Sequence, residues 1–292
     1  MAFRLKNAKS IGAQLSRIVA RELRKATGEV SGGSPRGKSV HEARKHVKKI
    51  RSVLHLLRKE LGDDYEPLNE RIRCAARQLS PVRDADALIA TMNALKRQHG
   101  GLITSSVFRT ANSVLQARRR DAYARLAKRQ LADVKRRLVQ SRRVVPSRIR
   151  AAATSRAVRD GVKRGYRRAR QAMAEAMAAR AEDVRFHAWR RRVKDHWYQM
   201  RLVEGLDAKV HGRVRRLKQL QEWLGDDHNL AVLRGVILEE PHRFGEASTV
   251  AVVLGCIDKH QAALRGRAVQ RGRRLFSKEP ALFRKQISRS WE

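Results

Sequence analysis

A helical pattern of basic residues constrains this chain more than any other feature of its sequence. On a helix at about 100° per residue, the stretch 40–58 (VHEARKHVKKIRSVLHLLR) is polar on one side and apolar on the other. Because like charges one turn apart repel, a helix face with only basic residues indicates an anionic partner. The basic face spans an arc of roughly 80° and carries His41, Arg44, Lys48, Arg51 and His55.

The same pattern returns half a chain later, in the stretch 186–202 (FHAWRRRVKDHWYQMRL). The second histidine of the pair, His187, follows His41 by 146 residues. A second landmark, LSPVRDADAL at 79–88, matches LGDDHNLAVL at 224–233 after 145 residues. Two landmarks at nearly one offset predict an internal duplication of a helical unit.

Breaker residues divide the rest of the chain into helices, and no alternating β-branched run predicts a strand. We expect one continuous basic helical region over 103–144 and a boundary between the two halves at Pro146, because proline interrupts helices. Gly225 predicts a further break between helices at 207–224 and 228–239. The predicted fold is therefore all-α, with two antiparallel helical bundles, 1–145 and 146–292, related by a pseudo-twofold axis.

The net charge of +39 over 292 residues indicates a polyanionic partner. Nucleic acid, an anionic membrane surface and inorganic polyphosphate all satisfy that requirement. Aromatic residues make up only 5% of the chain, and single-stranded nucleic acid is usually held by base stacking on aromatic side chains. The composition therefore favours a ligand that has charge but no bases.

The two cysteines, Cys74 and Cys256, lie alone in helical patterns and predict free thiols in a reducing compartment. No Cys/His spacing predicts a metal site, and no cofactor motif is found. The longest apolar run, 250–257, is too short to span a bilayer, and the N-terminal stretch lacks the apolar core of a signal peptide. We expect a cytoplasmic protein.

The repeated H-x-x-R-x-x-x-K helix, with an R-D-x-D motif at 83–86 after its first copy, resembles the CHAD family (conserved histidine alpha-helical domain). The resemblance extends from about residue 8 to about residue 275. It implies two pseudo-symmetric helical bundles around a basic central cavity, binding of inorganic polyphosphate, and an association with polyphosphate granules. Trp197 and the pair His228-Asn229 depart from the pattern of the first copy.

Two sets of candidate site residues follow from the helix pattern and the resemblance. The predicted polyphosphate ligands are His41, Arg44, Lys45, Lys48, Arg51, His55, His187, Arg190, Arg191, Lys194 and Arg201. Residues expected to support or orient them are Arg83, Asp84, Asp86, Asp227 and His228. Because histidine is mostly neutral at pH 7 and its charged form is favoured beside an anion, affinity should rise as the pH falls through about 7.5 to 6.

Two other functions compete with non-catalytic polyphosphate binding. General binding of DNA or RNA fits the charge, because phosphate contacts dominate such affinity, although no nucleic-acid-binding motif is evident. Hydrolysis of phosphoanhydrides would need a metal or nucleophile site, and the sequence shows no phosphate-cradling loop, nucleophile elbow or triad. We therefore predict a binding protein that is not an enzyme.

Overall fold

The computed structural model describes residues 3–32, 37–126, 128–178 and 183–288. Throughout these ranges the regular structure is helical and no strand is present, which confirms the predicted all-α class. Short 3₁₀ turns occupy Gly62–Asp64, Ala208–Val210 and Pro241–Arg243. The α-helices are α1 Ile11–Glu29, α2 Gly37–Leu56, α3 Arg58–Leu61, α4 Tyr65–Gln78, α5 Ser80–Gln98, α6 Ser105–Arg125, α7 Lys128–Ala152, α8 Ser155–Met177, α9 Asp183–Val203, α10 His211–Glu239, α11 Ala247–Leu275 and α12 Pro280–Ser288.

Two helix boundaries that proline and glycine predicted are wrong. Pro146 lies inside α7, because Val145 and Ile149 are buried in the core and keep the helix continuous around the proline. Gly225 lies inside α10, which runs unbroken through the predicted gap because Leu224 and Leu230 bury one continuous face. In both cases tertiary burial outweighs the local cost of the breaker residue.

The chain instead breaks where a side chain caps a helix. Thr154 accepts a hydrogen bond from the backbone N–H of Ala157 at 3.1 Å and starts α8. The predicted region 103–144 is likewise two helices, since α6 ends at Arg125 and α7 begins at Lys128. The division of the chain into halves at residue 146 stays a prediction, but the helix boundary that suggested it lies at residues 153–154.

Two apolar clusters hold the helices together and place α2 beside α9. In the larger one, α1 packs against α2 and α7, α8 packs against α9 and α12, and α9 packs against α10. The smaller one joins α5 and α6 to α11 and the second half of α10. Contacts between α2 and α9 connect the two halves of the larger cluster.

The helices α2 and α9 contact each other. His55, at the end of α2, lies 2.9 Å from Asp195 in the middle of α9. Lys49, earlier in α2, and Arg201, later in α9, both lie over the ring of Phe3. The two predicted basic helix faces are therefore neighbours in space.

No described helix is both long enough and apolar enough to cross a membrane.

Candidate functional site

A cavity of about 630 Å³ lies between α2 and α9 and is bounded by α4, α5 and α10. Nine lysine and arginine side chains line it, against four carboxylates, so its wall has a strong net positive charge. The cationic residues are Arg44, Lys48, Arg51, Arg73, Arg83, Arg190, Arg191, Arg192 and Lys194, and the acidic ones are Glu66, Glu70, Asp84 and Asp195. The other polar lining residues are His55, His187, His228, Asn69, Asn229, Tyr65 and Tyr198.

The basic face of α2 is fixed by neighbouring helices. Arg44 donates to the backbone carbonyl of Ala76 at 2.7 Å and to the hydroxyl of Ser80, at the junction of α4 and α5. Arg51 donates from Nε to Oδ1 of the buried Asn69 at 3.0 Å. These bonds orient the two guanidinium groups before any ligand arrives, which reduces the entropy lost on binding.

Lys48 and Lys194 are cavity lysines whose positive charges repel each other. Burial, followed by the charges of Lys194 and Arg44, holds the pKa of Lys48 well below its usual range. Burial, followed by Arg190, lowers the pKa of Lys194 to about 8. No carboxylate among the described residues lies within 4.0 Å of either ammonium group, although Asp195 offsets part of the shift at Lys194. An anion between the two lysines would relieve their repulsion and raise their pKa values.

Near its beginning, each basic helix carries a histidine that contacts the second landmark of its own copy. Nε of Arg83 donates to Nδ1 of His41 at 3.1 Å, and Nδ1 of His187 lies 2.9 Å from Nδ1 of His228. Arg83 and His228 occupy matching positions in the two landmarks, so the two contacts correspond to each other. This correspondence supports the predicted duplication.

The pKa values of these histidines are lowered. Burial comes first at every site, followed by Arg83 for His41 and by Arg190 for His187. At His228 burial and Arg190 lower the pKa to about 3. The free site therefore holds neutral imidazoles beside arginines, and an anionic ligand would favour their protonation.

Asp84 is the predicted supporting carboxylate that lines the cavity. It is exposed at the cavity edge, and its charge raises the pKa of Arg44 and Arg190 against the dominant effect of burial. Among the described residues no hydrogen bond ties its carboxylate to a single arginine. Its role is thus to balance charge at one end of the cavity.

Three predicted ligands lie outside the cavity wall, which corrects the expectation that all eleven share it. Lys45 is exposed and pairs with Glu42 at 3.0 Å, because it lies one position from Arg44 and points about 100° away. Arg201 lies over the rings of Phe3 and Trp197. His41 reaches the cavity only through Arg83.

Two of the predicted supporting carboxylates serve other helices. Asp86 accepts from Arg119 at 2.8 Å and from the hydroxyl of Tyr123 at 3.1 Å, which ties α5 to α6. The buried Asp227 accepts from Arg265 at 2.6 Å and ties α10 to α11. Over the described ranges neither carboxylate contacts a cavity cation, and their orienting role stays a prediction.

Several lining residues come from α4, in which the sequence predicted no site residue. Glu66, Asn69, Glu70 and Arg73 follow a spacing of three, four and seven residues, which places them on one helix face. This periodic polar face was the signal that could have identified α4 as a wall. Arg192, next to two predicted ligands, is a further lining residue that was missed.

The cavity lining includes histidines and carboxylates, which are possible metal ligands. Over the described ranges no group of three or more His, Cys, Asp or Glu side chains is arranged to hold a metal ion. The polar groups that predominate in the cavity wall are instead Arg, Lys and His side chains.

Comparison with known proteins places this geometry in a family. Residues 12–238 match the family model described as CHAD domain. The fold resembles the crystal structure of the CHAD domain from the plant Ricinus communis, with a TM-score of 0.63 and 18% identity over 96% of this chain and 95% of that one. It also resembles PptA from Streptomyces chartreusis, with a TM-score of 0.61 and 16% identity over 94% of this chain and 98% of that one. No curated protein sequence matches the chain.

Proposed function

The chain belongs to the CHAD domain family, and we propose that it binds inorganic polyphosphate, without catalysis, in the cavity between α2 and α9. The observation that carries this proposal is the pair Lys48 and Lys194. Two ammonium groups with lowered pKa values face one cavity and have no ion-paired carboxylate among the described residues. Folding keeps this unfavourable arrangement, and a polyanion is the ligand that relieves it.

The shape of the cavity favours a thin, flexible polyanion. Polyphosphate offers only charged oxygens, so a wall of Arg forks and Lys ammonium groups is sufficient to bind it. From Arg44 to His55 the donors of α2 extend about 16 Å along the helix axis at 1.5 Å per residue. The donors of α9 face them, so an extended chain would meet cations on both sides.

Nucleic acid fits the same cavity poorly. The major groove of a duplex alone is about 12 Å wide, and a whole duplex does not enter a cavity of about 630 Å³. The aromatic lining residues Tyr65 and Tyr198 are 5% and 4% exposed, so neither offers a face on which a base could stack. Binding of DNA or RNA would have to use the outer surface through net charge.

The proposal includes a cellular role in which the protein binds polyphosphate in the cytoplasm, including at polyphosphate granules. It includes no reaction. The cavity lysines supply positive charge and hydrogen-bond donors, and the neutral histidines gain a proton when the anion binds. No nucleophile is assigned.

A competition titration near physiological salt tests this function. Labelled polyphosphate is bound and challenged with duplex DNA and RNA at matched phosphate concentration. We expect polyphosphate to bind at least about tenfold more tightly, which is about 1.4 kcal/mol. The double variant Lys48→Met and Lys194→Met should lose that preference.

The matched control removes two exposed charges elsewhere, through Lys25→Met and Lys135→Met. It should keep the preference for polyphosphate. If duplex DNA competes equally, or if the cavity variant and the control behave alike, net charge rather than the cavity is responsible for binding.

A further inference from the structure

We propose that polyphosphate longer than the cavity leaves it over Arg192 and continues along α8 into a second basic pocket. The surface formed by Lys163, Arg164, Arg167 and Arg168 is called the α8 track below. This inference rests on the proposed function, because it extends the same ligand beyond the cavity.

The second pocket has a volume of about 500 Å³ and lies at the beginning of α8. Its cationic lining includes Lys59, Lys163, Arg164 and Arg167, with Arg156 at its outer end. Two acidic residues, Glu60 and Asp160, also line it, so cations predominate here as in the cavity.

Arg168 connects this pocket to the cavity. It lies one helical turn from Arg164 on the same face of α8, at a spacing of about 5–6 Å between Cβ atoms. Its pKa is lowered by burial, then by the charges of Arg192 and Arg58 and, more weakly, by that of Arg164. Arg192 belongs to the cavity wall, and the guanidinium of Arg58 lies 4.7 Å from the centre of the Tyr65 ring, another wall residue. Arg168 therefore lies between the two, within electrostatic range of Arg192 at the cavity edge and one helical turn from Arg164 in the second pocket.

The track has a fixed part and a part that is available to a ligand. Arg164 is held by the backbone carbonyl of Leu56 at 2.9 Å and by Glu60 at 3.0 Å. Among the described residues no carboxylate lies within 4.0 Å of the charged groups of Lys163, Arg167 or Arg168. Three cations along α8 thus remain without partners, close to a fourth that is positioned by the protein.

The geometry predicts a dependence on chain length. From Arg168 to Arg156, at the outer end of the second pocket, the track and the pocket together extend about 18 Å along α8, which is as long as the cavity's own row of donors. A short polyphosphate is accommodated by the cavity alone, whereas a long chain gains the additional contacts of the track. Each exposed contact is weak, but several act together on one chain.

The experiment compares tripolyphosphate with a long-chain inorganic polyphosphate in equilibrium binding at physiological salt. The track variant carries Lys163→Gln, Arg167→Gln and Arg168→Gln, which keep good helix formers on α8. The control variant removes the same number of exposed charges from α7, through Lys135→Gln, Arg142→Gln and Arg143→Gln. Circular dichroism and thermal unfolding check that both variants are folded.

We expect the track variant to bind long chains about tenfold more weakly than wild type and to bind tripolyphosphate within about twofold of wild type. Equal losses for both ligands, or the same loss of long-chain affinity in the control, would overturn the track. The double variant Lys48→Met and Lys194→Met separates the two proposals. If it loses binding while the track variant keeps its length dependence, only the track is refuted; if it binds long chains like wild type, the proposed function fails as well.

Discussion

Replacing Lys194 by methionine should stabilise the free protein and weaken the complex. The pKa of Lys194 is about 8, against an ordinary value of 10.5. At about 1.36 kcal/mol per pKa unit, this shift corresponds to an unfavourable free energy of about 3 kcal/mol at pH 7. Because the side chain is half-buried and partly screened by solvent, we reduce the expected gain to about 1–3 kcal/mol. Methionine retains the apolar stem and removes the charge.

The sign of the pH dependence provides an independent check. The folded-state pKa is depressed, so between about pH 8 and 10.5 the unfolded chain holds a proton at this site that the folded protein lacks. The wild type should therefore gain stability, relative to Lys194→Met, as the pH rises through that window. Urea unfolding of both proteins at pH 7 and at pH 10 measures the difference, with exposed Lys135→Met as the control.

Adding polyphosphate should narrow the stability difference between Lys194→Met and the wild type by about 1.3 kcal/mol. A ligand at 100 times its Kd stabilises the folded protein by about 2.7 kcal/mol, and a tenfold loss of affinity reduces that gain to about 1.4 kcal/mol. If Lys194→Met instead lowers the free energy of unfolding at pH 7 and binds polyphosphate like Lys135→Met, Lys194 is a structural cation and the reasoning is refuted.

Three further predictions concern buried or cavity groups. Glu22 is buried and pairs with His46 at 2.5 Å and with Lys49 at 2.9 Å, and these contacts lower its pKa to about 2 against the opposing effect of burial. Glu22→Gln should therefore lower the free energy of unfolding in urea by about 3 kcal/mol at pH 7, and the difference from wild type should shrink from about pH 4.5 downwards. An unchanged stability would contradict this prediction. Burial against aromatic rings lowers the pKa of His196 to about 3. The free energy of unfolding of the wild type should therefore fall by up to about 1.4 kcal/mol per pH unit as the pH falls below 6.5. His196→Phe should show a smaller decrease, and parallel pH profiles of stability would contradict this prediction. Because the pKa of His187 is lowered in the free site, polyphosphate affinity should rise as the pH falls from about 7.5 to 6; His187→Gln should reduce that slope in a binding titration, and a flat wild-type profile would contradict the expected proton uptake.

Local periodicity was sufficient to predict the part of the site that comes from one helix. Arg44, Lys48, Arg51 and His55 follow from helical spacing alone, and all four line the cavity. A helix fixes the relative direction of its side chains whatever surrounds it. The sequence therefore predicts which residues share a face, and that face contacts the ligand if the neighbouring elements leave it open.

The remaining site residues depend on which helices become neighbours. Arg201 lies near the edge of the same arc, but the N-terminal segment covers it: Leu5 donates to the backbone carbonyl of Leu202 at 2.7 Å and Phe3 lies under the guanidinium. Asp86 and Asp227 find arginines more than thirty residues away in sequence. No local pattern carries that information, and the continuity of α7 through Pro146 has the same origin in tertiary packing.

The contact between α2 and α9 explains why the cavity holds its charges at a cost in stability. Each helix buries its apolar side against its own neighbours, α1 for α2 and α8 for α9, so the two basic sides are left facing each other. Apolar burial on the outer sides offsets the repulsion between Lys48 and Lys194 on the inner sides. An uncharged cavity of the same shape would be more stable but would not attract a polyanion. The depressed lysine pKa values thus follow from a fold that places two similar helices face to face, and in the proposed complex a polyanion would complete the electrostatic balance that the protein alone leaves unfavourable.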